Sequence, residues 1–273
     1  MSEKKPEPRV LELEVEIEAP IEQVWKAISE GAHVAGWFAP EARVTGEGES
    51  RELGVRWPEM SEAWWSSRIA VWKPNEQLRL VDDSGMLGPG TSIWVEYFLT
   101  TEKGRTRLRL VQSGFGESAG WEEFFEGTEA GWSYFLCNLR LYVQRHFGRA
   151  RQMLNQRFEV TLGREVAWGR VLGAAGGLVV AGGTALQTGS VVGLSLGGAA
   201  PAKGVIEVLK PQRVVAFRIA ELDDAMLLVE LESGEGSFHI GLWMSVYDAS
   251  TASRLRKPVL AQYSVLRSNL ASD

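Results

Sequence analysis

From Trp121 to His146 the chain places apolar side chains at steps of three and four. Phe124, Thr128, Trp132, Phe135, Leu139 and Tyr142 fall on one stripe, and Phe125, Leu136 and Val143 widen it. This is the period of an α-helix. Glu122, Glu123 and Glu126 load its first turns, and Arg140, Arg145 and Arg149 sit near its other end, as the helix dipole favours. The spacing predicts a helix of about 40 Å. So long and aromatic a stripe requires a broad apolar surface, and a curved sheet is expected beneath it.

The segments before it supply that sheet. Leu11, Leu13, Val15 and Ile17 alternate with Glu12, Glu14, Glu16 and Glu18, the pattern of a half-buried strand with an acidic outer face. Pro20 suits the first position of a helix carrying Val24, Trp25 and Ile28 and ending near Gly31. HVAGWF forms a further helical turn, ending at Pro40. Strands are expected at Arg43–Thr45, Arg51–Trp57, Ser66–Trp72 and Gln77–Asp82, the last two joined by the turn Lys73-Pro74-Asn75-Glu76. A glycine-rich loop, 85–90, precedes a hairpin. In it Ser92–Thr101 alternates Ile93, Val95, Tyr97 and Leu99 with Trp94, Glu96 and Phe98. Lys103-Gly104 makes the tight turn, and the returning strand points Leu108 and Leu110 one way and Arg105, Arg107 and Arg109 the other. A glycine-bearing stretch, 114–120, leads into the long helix. The order is an α+β pattern with helices on one face of an antiparallel sheet.

Near Phe158 the pattern restarts. RFEVTLGREVAWGRVL repeats the strand and helix of VEIEAPIEQVWKAI, with Trp168 in the place of Trp25. IEVLKPQRVVAF repeats IAVWKPNEQLRL, so Lys210 and Pro211 correspond to Lys73 and Pro74. Ala225–Leu231 and Phe238–Tyr247 read as a hairpin. Thr251–Asn269 reads as a closing helix with Leu255, Val259, Leu260, Tyr263 and Leu266 on its apolar face, kinked or started by Pro258. The expected organisation is a disordered tail at 1–9, one unit at 10–148, a join between Gly148 and Asn155, and a divergent second unit at 156–273. The stretch 171–202 has no charge and many glycines, but large apolar residues are too sparse for a membrane span. Its place in the repeat predicts short strands and turns.

Composition changes this picture little. Of 273 residues 45% are hydrophobic and 23% charged, and eleven tryptophans imply flat-walled cores or pockets. A net charge of −6 leaves no basic surplus for nucleic acid. MSEKKPEPRV has no apolar run, which points to the cytoplasm. Cys137 has no partner cysteine in the chain and is expected as a buried, inert thiol.

EIEAPIEQVWKAIS, GWFAP, IAVWKPNEQLRL, LVQSGFG and GWSYFLCNLRLYV together resemble the START-like (SRPBCC, helix-grip) superfamily, and within it the branch named for the activator of the heat-shock-protein-90 ATPase. The resemblance covers about residues 10–147 and extends to 156–270 through the repeat. It implies a curved antiparallel sheet gripping a long C-terminal helix, in tandem duplicate, with a cavity between sheet and helix. It also implies either a bound lipid, hormone or polyketide, or a cyclase, and, through the branch's name, a link to chaperones and the stress response. The second copy lacks the aromatic opening of the long helix.

On this layout Trp132, Phe135, Leu136 and Leu139 from the helix and Trp57, Ile69, Tyr97, Leu108 and Leu110 from the sheet face the gap. Gln112, Arg68 and His33 are polar candidates there. Glu96 alternates with Tyr97 and is assigned to solvent or an interface. His33, His146 and His239 have no metal-ligand spacing, and Gly-x-Ser-x-Gly and Gly-Lys-Ser/Thr are absent. No catalytic residue, metal or cofactor is therefore assigned. The expected activity is the binding of a small apolar or amphipathic molecule in the first unit, with the second a structural partner in an internal pseudo-dimer. The rivals are a protein-interaction module, suggested by the arginine row and the glutamate strand, and a cyclase-type enzyme.

Overall fold

The computed structural model describes residues 9–84, 92–115, 119–173, 177–181, 186–198, 200–232 and 238–271. The expected loop at 85–90 and most of the tail lie outside them. The chain divides into two units, 1–148 and 149–273.

The first unit runs β1 (Leu11–Ile17), α1 (Ile21–Ser29), α2 (Gly31–Val34), β2 (Glu41–Thr45), β3 (Glu52–Arg56), β4 (Trp65–Lys73), β5 (Gln77–Asp82), β6 (Ile93–Glu102), β7 (Arg105–Ser113) and α3 (Ala119–Leu141). Its seven strands form one antiparallel sheet, ordered β1-β7-β6-β5-β4-β3-β2. The strands from β2 to β7 follow one another as a meander, and β1 closes the free edge of β7. Lys103 and Gly104 both take positive φ, 51° and 79°, as a two-residue hairpin turn that matches strand twist requires. Pro20 is the N-cap of α1 rather than its first residue.

α3 extends for 23 residues, about 35 Å, and ends in a π-turn at Tyr142–His146, so the helical stretch bends its hydrogen-bond pattern before its expected end. Its buried positions include Trp132, Leu136, Leu139, Tyr142 and Val143, as the stripe predicts. It also buries Asn138, whose Nδ2 donates to the Trp37 carbonyl at 2.6 Å, while the Trp37 indole donates to the Ala27 carbonyl at 2.8 Å. These two bonds tie the α1–α2 turn to the long helix. Cys137 is half-buried rather than enclosed, because it lies one position off the stripe. Arg9, placed in the tail, meets Glu122 at 2.6 Å.

The second unit repeats the plan: β8 (Gln152–Val160), α4 (Arg164–Leu172), β9 (Val179–Ala181), β10 (Val191–Leu194), β11 (Ala202–Lys210), β12 (Val214–Ile219), β13 (Ala225–Leu231), β14 (Phe238–Val246) and α5 (Ala249–Ala271). The strand order, β8-β14-β13-β12-β11-β10-β9, is that of the first sheet. The likeness reaches single residues. Asn75 and Gln212 both take positive φ, 63° and 61°, in the two Lys-Pro turns. The first pair of strands shifts register between Ile69 and Val71, its counterpart between Ile206 and Val208, four residues before each turn's lysine. Leu99 N–H donates to the Glu76 carbonyl at 2.8 Å, and Leu231 N–H to the Arg213 carbonyl at 2.7 Å. The uncharged stretch holds the short strands β9 and β10, and no helix among the described residues is long and apolar enough to cross a membrane. The strand β8 begins at Gln152, four residues before 156.

Pro258 lies inside α5 and does not start it. Asp248 precedes that helix and accepts from Thr251 N–H at 2.7 Å and Ser250 Oγ at 2.6 Å, which holds its carboxyl down to about 2. Phe217, Met244, Tyr263 and Leu266 fill the space between α5 and the sheet, all fully buried. The Tyr263 hydroxyl has no hydrogen-bond partner there, and burial pushes its pKa above the usual tyrosine range. Tyr263→Phe should therefore raise stability by about 1 kcal/mol, against the usual sign for a core substitution, as a melt can check.

Glu230 on β13 faces away from this core. Burial and the Glu232 carboxylate raise its pKa to about 7, opposed by Arg157, which is paired with Glu232 at 2.7 Å. A folded pKa above the unfolded value means the native state binds the extra proton between them. The second unit should be most stable below about pH 4.5 with respect to this group, losing up to about 3 kcal/mol as pH rises through 7. Glu230→Gln should flatten that slope in urea titrations run across pH 4.5 to 8.

Candidate ligand cavity

In the first unit a cavity of about 250 Å³ lies beneath the N-terminal half of α3. The pleat builds most of its wall. Leu53 and Val55 on β3, Trp65 and Ser67 on β4, Leu80 and Asp82 on β5, and Ile93, Val95 and Tyr97 on β6 line it, and each set is spaced by two along its strand. Trp57 continues the β3 alternation and Gln112 comes from β7. The other wall is Ile28 of α1, Val34, Trp37 and Phe38 of the α2 turn, and Phe124 and Trp132 of α3.

The aromatic rings pack on one another around the space. Phe38 stacks on Trp132, centroids 5.5 Å apart and planes within 5°, and meets Trp57 edge-on at 5.3 Å. Trp57 reaches Trp65 at 5.3 Å, and Tyr97 meets Trp132 edge-on at 6.2 Å. Four polar side chains join this wall. Gln112 and Tyr97 are buried, and Gln112 Oε1 accepts the Trp132 indole N–H at 2.6 Å. Burial alone drives the Tyr97 pKa above the usual tyrosine range, which keeps the hydroxyl protonated. Ser67 and Asp82 are only half-buried.

Of the residues expected at the gap, Trp57, Tyr97, Gln112 and Trp132 line this cavity. Leu108, Leu110 and Leu139 do not; they are fully buried core. They face inward as predicted but lie further along β7 and α3, beyond the open space. Leu136 and Ile69 are buried and Phe135 packs against Phe38 at 4.6 Å, none of them at the cavity. Arg68 is exposed and turns to Asp83 at 3.4 Å. His33 serves the end of α3 instead. Its Nδ1 meets the Tyr142 hydroxyl at 2.9 Å and its ring stacks on Phe147 at 4.4 Å.

Glu96 corrects its assignment. It sits on the outer face, as alternation required, yet only 3% of it is exposed. Arg79 grips it through Nε at 3.0 Å and Nη2 at 2.9 Å, Gln77 adds a bond at 2.5 Å, and Arg79 lies over the Trp94 ring. Neighbouring long side chains bury a group that the backbone pattern alone leaves in water. The arginine row stays partly exposed but is paired. Arg105, Arg107 and Arg109 pair with Glu18, Glu16 and Glu12 across the β1–β7 ladder. Those charges are matched within the sheet.

The sequence pattern already contained the inward positions of β3 to β6, but not which of them the helix leaves uncovered. Trp37 and Phe38 were visible in GWFAP and read only as a helical turn. Their approach to α3 depends on Asn138, which the apolar stripe does not reveal.

Residues 18–144 match the family described as activator of Hsp90 ATPase homolog 1-like protein. None of the curated proteins matches the sequence. Similar solved structures include DynU16, a protein of the dynemicin biosynthetic locus. It is 18% identical, with 97% of this chain and 98% of that one covered at a TM-score of 0.42. The di-domain ARO/CYC BexL of the BE-7585A biosynthetic pathway is 11% identical, with 97% and 99% covered at 0.46. The Aha1 dimer from Colwellia psychrerythraea is 18% identical, with 50% of this chain and 96% of that one covered at 0.42. The first unit matches the activator of Hsp90 ATPase homolog 1-like family over 18–144, and both units share one helix-grip plan, a seven-stranded antiparallel sheet with a long C-terminal helix.

Proposed function

We propose that the first unit binds a small apolar or amphipathic molecule in the cavity beneath Trp132, and that the second unit is mainly structural. The observation that carries this reading is an aromatic-walled space of about 250 Å³ with a few convergent polar groups, the usual composition of a small-molecule site. A ligand burying about 250 Å² of apolar surface would gain roughly 6 kcal/mol before the cost of association. Native mass spectrometry of the full chain purified from its own host tests it. A co-purifying small molecule, released on denaturation and absent from the cavity-filling variant Val95→Trp, is expected. A bare chain in every preparation counts against it.

A cyclase-type enzyme is the second reading, favoured by the buried Tyr97 hydroxyl and Gln112 amide, which could orient a reactive carbonyl. A purely protein-binding role draws less support, since the arginine row is paired with the glutamates of β1.

A further inference from the structure

We infer that the ligand of this cavity is a small, neutral ring compound carrying a hydrogen-bond acceptor, such as a ketone, that enters acceptor first and is met by the Gln112 amide and the Tyr97 hydroxyl. The inference rests on the binding role proposed above and specifies its ligand class.

The orientation of Gln112 follows from its partner. An indole N–H only donates, so the atom 2.6 Å from Trp132 Nε1 is the amide oxygen. The amide nitrogen is thereby turned elsewhere, on a residue that lines the cavity and is 5% exposed. Among the described residues nothing accepts its hydrogens. The Tyr97 hydroxyl also has no hydrogen-bond partner among the described residues, and that residue is 4% exposed. Tyr97 lies opposite Leu110 and Gln112 opposite Val95, so the two residues are diagonal neighbours on one face, and two donors with no acceptor supplied by the described residues line the same wall. Donors that open onto an apolar-walled space are costly to leave unpaired once a ligand displaces water from it, so the ligand should supply the acceptor.

The acceptor should be neutral. Among the described residues no lysine or arginine lines the cavity, while the Asp82 carboxylate does, so a carboxylate or phosphate would be repelled without compensation. Asp82 and Ser67 lie at the half-buried margin, where they can take a hydroxyl on the ligand's outer end. The walls select ring systems, because stacked and edge-on aromatic side chains offer flat faces. The volume equals that of about eight waters, room for one or two fused rings.

The test uses the full chain, with naphthalene, 1-tetralone and 1-naphthoate as probes of similar size, each affinity corrected for the probe's partition between water and octanol. Wild type is expected to favour 1-tetralone over naphthalene by about tenfold, and to bind 1-naphthoate most weakly. Gln112→Glu keeps an oxygen for the Trp132 indole and replaces the amide donor by an acceptor, so the tetralone-to-naphthalene ratio should fall to about one. Tyr97→Phe should lower that ratio several-fold, and stands on its own if the first variant does not fold. Equal corrected affinities in wild type, or a preference that survives both substitutions, would overturn the inference while leaving cavity binding intact. Failure of all three probes to bind wild type would overturn the binding role and this inference together.

Discussion

Trp132→Ala is expected to cost the first unit about 3–5 kcal/mol, a loss of roughly 10 °C in its melting temperature. Trp132 joins three parts of the fold. Its ring stacks on Phe38 from the α2 turn, meets Tyr97 from β6 edge-on, and donates to Gln112 on β7. Alanine removes all three contacts, merges the vacated volume with the existing cavity and strands the Gln112 oxygen. Trp132→Phe separates these effects. It keeps an aromatic face against Phe38 but loses the second ring of the indole and its N–H, so about 1–3 kcal/mol should go. An unchanged melt for the alanine variant would mean that α3 does not close the sheet as described.

Arg79→Met should cost about 3 kcal/mol, although Arg79 itself is partly exposed. The cost arises at Glu96, whose side chain is 4% exposed and would keep only Gln77. Removing one member of a buried pair leaves a desolvated charge, whereas removing both need not. The double variant Arg79→Met with Glu96→Met should therefore recover most of the loss. Chemical denaturation of the four species gives the coupling, which should exceed about 1.5 kcal/mol in favour of the pair. Additive losses would show that Glu96 is solvated in place.

How much of this was legible in the sequence depends on the range of the interactions concerned. Period two and period three-to-four are local, and they located β1, β4 to β7 and the stripe of α3 closely. The duplication was also readable, because Lys-Pro turns at Lys73 and Lys210 impose the same local geometry on both halves. What escaped was set by pieces far apart in the chain. Glu96 is buried by Arg79 and Gln77 on the neighbouring strand, which alternation cannot express. Leu108, Leu110 and Leu139 face inward as predicted, but whether an inward residue touches core or cavity depends on where a helix and a curved sheet diverge. That divergence follows from the α2 turn, held off the sheet by Phe38 and fastened by Asn138. The cavity is the remainder left by three surfaces, and no single segment encodes it.

The most direct measurement is diffraction from crystals of the full chain pressurised with xenon, which enters dry apolar cavities and leaves filled cores untouched. The account predicts xenon in the first unit between Trp132, Trp57 and Val95, and none there in Val95→Trp. An interior in which side chains fill that space, with no xenon taken up, would contradict it.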